Sequence, residues 1–218
     1  MGRGMKRLSI EEAILLSKVN FRGYSPSEDE RKIYEMAQAR NDENLKYYRE
    51  LKALDVYLAC SLRTEHDYEL AFRVYDGLTQ EALTVFFAAL ASSQNSLLQS
   101  DLERRLLDLT KSVFLLAQGN DSWGKVSEAV EGLVRAIPVV ALTDESTSRM
   151  SNYDILKNVH PRRIVRGRGM HVNNKFEGAL DCLRKELAHN AKSFRREELG
   201  GLNFYCSGCG SLILRIPR

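Results

Sequence analysis

The chain has 218 residues, 44% hydrophobic and 28% charged, a composition expected of a globular protein with one main domain and room for an appendage. Lys and Arg exceed Asp and Glu by 32 to 29, and a formal charge of +3 is too small to argue for nucleic acid by itself. No apolar stretch approaches the roughly 20 residues that span a bilayer, and Met1 to Arg7 lack the apolar segment of a signal peptide, so a cytoplasmic protein with no membrane partner is expected.

In chain order, residues 1–53 read as a helical segment. Ser9 and Glu12 form a capping-box pattern ahead of Ile10 to Leu16, and Ser27 followed by Glu28, Asp29 and Glu30 opens a long charged helix that Asn41-Asp42 interrupts. The core is expected over 54–172. Asp55 to Cys60 is a near-continuous apolar strand of the kind covered on both faces, and Thr64 caps a helix to about Gly77 whose Tyr68, Ala71, Phe72 and Tyr75 share one face. In the intervening loop, Arg63 is either a ligand for an anionic group or a surface arginine. Ala82 to Ala88 reads as a second strand. A polar loop and a helix follow, in which Asp101 is either the N-cap acid or a contact to a ligand hydroxyl. Ser112 to Ala117 and Ile137 to Leu142 are the next strands.

After Thr143 the pattern weakens. Tyr153 to Pro161 is expected as a short helix and Arg162 to Val165 as an edge strand. Arg162, Arg163, Arg166 and Arg168 lack interleaved aromatics and are a weak signal for nucleic acid; the other readings are a nucleotide-phosphate contact and, favoured over both, a solvated edge. A last helix is expected over 173–201 and a tail over 202–218. In the tail, Cys206-x-x-Cys209-Gly210 matches half of a tetrahedral zinc site, leaving zinc shared with a histidine or a second subunit, a redox pair, or a metal-free turn. Cys60 in a strand and Cys182 in a helix argue against a secreted disulfide framework. The fold expected is α/β, a three-layer sandwich on about five parallel strands in order 2-1-3-4-5 with extra N- and C-terminal helices. Ligands of such sheets bind at the carboxyl ends of the strands, which places the loop Gly119 to Gly124 and, one helical turn behind it, Glu128 beside Ser61 and Arg63.

The run Asp121-x-x-Gly124-x-x-x-Glu128-Ala129, followed by Ile137-Pro138-Val139-Val140, resembles the signature of the nucleoside 2-deoxyribosyltransferases and their Rossmann-like relatives, the SLOG and NAD-hydrolysing TIR domains. Ala136 stands where the pattern has a glycine. The resemblance implies a nucleoside, nucleotide or NAD-like ligand, a homo-oligomer, and cleavage or transfer of an N-glycosidic bond without a required cofactor. The residue types suit that chemistry. A carboxylate at Glu128 can attack or stabilise an oxocarbenium-like sugar, Asp121 can bind sugar hydroxyls, Gly119 and Gly124 allow close backbone approach, and Trp123 can stack on a base. The alternatives are a ligand sensor without turnover and a regulatory or structural partner protein.

Overall fold

The structure is a computed structural model that describes residues 5–118, 123–135, 137–143, 170–190, 194–198, 201–206 and 212–217. Five parallel strands form one sheet in the order β2-β1-β3-β4-β5: β1 (Leu54–Ala59), β2 (Val85–Phe86), β3 (Thr110–Leu116), β4 (Val139–Leu142) and β5 (Met170–Asn173). This is the expected fold class and strand order. The described helices are α1 (Ile10–Arg22), α2 (Glu28–Glu50), α3 (Glu65–Gln80), α4 (Ser96–Leu109), α5 (Trp123–Val134) and α6 (Phe176–Asn190). None of them is long and apolar enough to cross a membrane.

The strands alternate between two cores. Val56, Leu58, Phe114, Leu116, Val140 and Leu142 meet α1, α3 and α6 on one face. Tyr57, Ala59, Val113, Leu115, Val139 and Ala141 meet α4, α5 and the end of α2 on the other. Covering both faces is what near-continuous apolar parallel strands require, and each large side chain so buried contributes about 1.5–3 kcal/mol.

The helix starts follow the sequence signals. Ser9 with Glu12, Ser27 with Glu30 and Thr64 with Asp67 each form a reciprocal capping box, with side chain and backbone satisfying one another's first-turn donors. Asn41-Asp42 does not interrupt α2. The Asn41 amide lies buried and exchanges hydrogen bonds with Ser92, donating to its carbonyl at 3.0 Å and accepting from its N–H at 2.9 Å. Asn44 similarly holds both backbone groups of Lys6 and the Leu90 carbonyl. These asparagines clamp α2 beside the short edge strand β2, where the Tyr48 hydroxyl donates to the Val85 carbonyl at 2.6 Å.

Several boundaries differ from expectation. β2 keeps only two residues because the chain enters a 3-10 turn over Ala88–Leu90, which tucks Ala89 and Leu90 into the core. The C-terminal helix ends at Asn190, and Phe194–Glu198, expected as its continuation, is strand β6, paired antiparallel with β7 (Gly201–Cys206), which pairs with β8 (Leu212–Pro217). That three-stranded sheet joins residues on both sides of the expected tail boundary. The expected elements over 153–165 lie outside the described residues.

Candidate active site

The connections at the carboxyl edge lead from β1 into α3, from β2 into α4 and from β3 into α5, and the chain order reverses between β1 and β3. A crevice at such a switch point is where open α/β sheets bind ligands. Helix α5 packs closely on β3 and the start of β4 because of Gly132. A Cβ there would lie 2.8 Å from Val113 Cγ2, so only glycine lets the helix settle this deeply on β3. Val126, Ala129 and Leu133 are its buried apolar residues, and Glu128 stands among them, partly buried.

Glu128 points into the sheet. Its Oε1 accepts a hydrogen bond from the Tyr57 hydroxyl at 3.0 Å, and Oε2 has no hydrogen-bond partner among the described residues. The Tyr57 ring is fixed from below by Phe86, with centroids 4.9 Å apart, and Phe86 in turn meets the Tyr48 ring edge-on. Burial, with the nearby carboxylates of Glu103 on α4 and Glu131 on α5, pushes the Glu128 carboxyl up to about 8, although the Tyr57 hydrogen bond pulls it down. Burial and the Glu128 charge likewise raise the Tyr57 phenol well above its ordinary value, so it is a firm donor. Glu103 is raised by burial and by Glu131, against the opposing hydrogen bond from Gln99 at 2.6 Å.

Two more groups stand at this edge. Lys125, one turn before Glu128 and fully buried, donates from Nζ to the Ala117 carbonyl just beyond β3 at 3.3 Å. The Cys60 thiol, at the end of β1, is raised by burial and then by Glu128, against the opposing charge of Lys125. It is therefore a neutral thiol at physiological pH. The arrangement amounts to a carboxyl able to change charge near neutral pH, held by a phenol on one oxygen, with a buried lysine one helical turn earlier on α5.

The other residues singled out in the sequence are placed as follows. Gly124 is exposed in the first turn of α5, whereas Gly119, Asp121 and the Trp123 side chain lie outside the described residues. Ser61 is buried, and its hydroxyl faces Asp67 at 3.4 Å; the same Asp67 oxygen accepts from the N–H groups of Arg63 and Thr64. Ser61 thus supports the start of α3. Arg63 is exposed and lines a cavity between α1 and α3, on the face of the sheet opposite to α5. Asp101 is exposed in the second turn of α4 and is not its N-cap; that role belongs to Asn95, whose side chain accepts from the N–H groups of Leu97 and Leu98.

Cys206 ends β7 and Cys209 lies outside the described residues, among which no His, Cys, Asp and Glu side chains are grouped to hold a metal. His171, a possible donor of a shared zinc ligand, is engaged through Nε2 by Glu186 at 3.1 Å. Sequence reasoning missed Tyr57, Lys125 and Glu103. The spacing of Lys125, Glu128 and Gly132 along one side of α5 is the signal that could have found the lysine.

No protein-family model, curated protein or solved structure matches this chain.

Proposed function

We propose that the chain is a nucleoside- or nucleotide-processing enzyme that cleaves or transfers an N-glycosidic bond, with Glu128 as the reacting carboxylate. The observation that carries this reading is the Tyr57–Glu128 pair between β1 and α5, 3.0 Å apart, with the carboxyl held near a pKa of about 8. At pH 7 such a carboxyl is ionised in about one molecule in ten. An approaching sugar that develops positive charge at C1′ favours the ionised form, so stabilisation is strongest in the transition state.

In the proposed step, Tyr57 holds Oε1 and the free Oε2 faces C1′. The C1′–N bond breaks with its electron pair leaving on the base, and Oε2 either forms a bond to C1′ or holds the oxocarbenium ion by charge. Nicotinamide leaves as a neutral molecule, whereas a purine or pyrimidine takes a proton from solvent. Water or a second base then attacks C1′ and regenerates the carboxylate. The test is chromatography for free base after incubation with NAD, nucleoside monophosphates and deoxynucleosides. Release that disappears in Glu128→Gln supports the reading; no release from any of these substrates overturns it.

A further inference from the structure

We infer that the cavity between α1 and α3 is a second ligand site, one that binds the phosphoryl group of a small phosphorylated molecule. The cavity measures about 180 Å³, and three cations line it: Lys18 and Arg22 from α1 and Arg63 from the β1–α3 loop. Among the described residues none of the three forms an ion pair. Glu65 is the one carboxylate in the lining, so positive charge is in excess.

Lys18 and Arg22 stand one helical turn apart, where like charges repel and weaken a helix. Lys18 lies 6.0 Å from the centroid of the Tyr24 ring, and its charge reaches Glu30 without closing an ion pair. Arg22 spends one Nη2 bond, at 3.1 Å, on the Arg63 carbonyl, which fixes the loop and leaves the rest of its fork for another acceptor. The backbone donors of Arg63 and Thr64 are taken by Asp67, so side-chain charge, not the helix end, is what the cavity offers. The hydroxyl-bearing Ser17 and Tyr68 complete the lining on the α1 and α3 sides. Convergent guanidinium forks and an ammonium match a tetrahedral dianion better than a single carboxylate. That volume is enough for a phosphoryl group and the first atoms that carry it.

The site is independent of Glu128, which lies on the other face of the sheet. Its test is isothermal titration of the full chain with inorganic phosphate and with glycerol 3-phosphate, which carries no ribosyl group for the Glu128 site, at constant ionic strength. Saturable one-to-one binding is expected. Arg63→Gln, whose native side chain makes no hydrogen bond among the described residues, should keep the fold by circular dichroism and weaken binding about tenfold or more. Glu65→Gln should tighten it, and Glu128→Gln should bind as the unaltered protein does. The inference is overturned if neither probe binds saturably, if Arg63→Gln binds unchanged, or if Glu128→Gln abolishes binding.

Discussion

Replacing Glu128 with Gln should make the protein more stable at alkaline pH and leave it little changed near pH 4.5. The native carboxyl rises from an ordinary 4.5 to about 8 on folding, first because of burial and then because of Glu103. A raised folded pKa means that the group's contribution is fully present below the unfolded value and is lost as pH climbs through the folded one. Between these limits the slope approaches about 1.4 kcal/mol per pH unit, an upper bound of ~5 kcal/mol in total. Glu128 is only partly buried, so solvent screening reduces the expected difference to about 2–3 kcal/mol. A glutamine keeps an oxygen to accept from the Tyr57 hydroxyl and cannot ionise. Urea unfolding followed by circular dichroism at pH 5 to 9 measures the difference directly. The two proteins should agree near pH 5 and diverge in favour of Glu128→Gln by pH 9; parallel stability profiles would refute the reasoning.

Other residues carry separate predictions. Gly132→Ala forces a Cβ to within 2.8 Å of Val113 Cγ2 and should cost about 1–3 kcal/mol in urea unfolding by pushing α5 off the sheet. Asn44→Ala leaves the buried Leu90 carbonyl without its side-chain donor and releases Lys6, with an expected cost of about 2–3 kcal/mol in the same assay. At the opposite sheet edge, Lys111 and the Thr84 N–H hold Asp55 below its ordinary value despite its burial. Its stabilisation is present above about pH 4 and lost as pH falls through the folded value. Asp55→Asn should therefore flatten the acid limb of the unfolding profile between pH 5 and 2.

The central part of the fold was legible because β1, β3 and β4 are buried on both faces and so read as unbroken apolar runs. Ser9, Ser27 and Thr64 marked helix starts for a local reason, the need of first-turn N–H groups for an acceptor. Tertiary contacts decided the rest. Asn41 resembles a helix breaker until Ser92 is found bonded to its amide. Arg105 donates to the carbonyls of Tyr48 and Leu51 at the end of α2, a partner that no local pattern announces. Phe194 continues the helical spacing of Leu187, yet pairing with β7 makes it a strand residue. At the site, Glu128 followed from its place behind a strand-edge loop, whereas Tyr57 was hidden inside a strand read only as core.

The pH dependence of base release tests most directly the claim that the Glu128 carboxylate is the reacting group. On the most rapidly cleaved of NAD, the nucleoside monophosphates and the deoxynucleosides, kcat/KM should rise about tenfold per pH unit and level off near pH 8. Tyr57→Phe removes the hydrogen bond that lowers the Glu128 value, so the bend should move to higher pH. A profile that is flat from pH 6 to 9, or a bend that Tyr57→Phe leaves in place, would contradict the account.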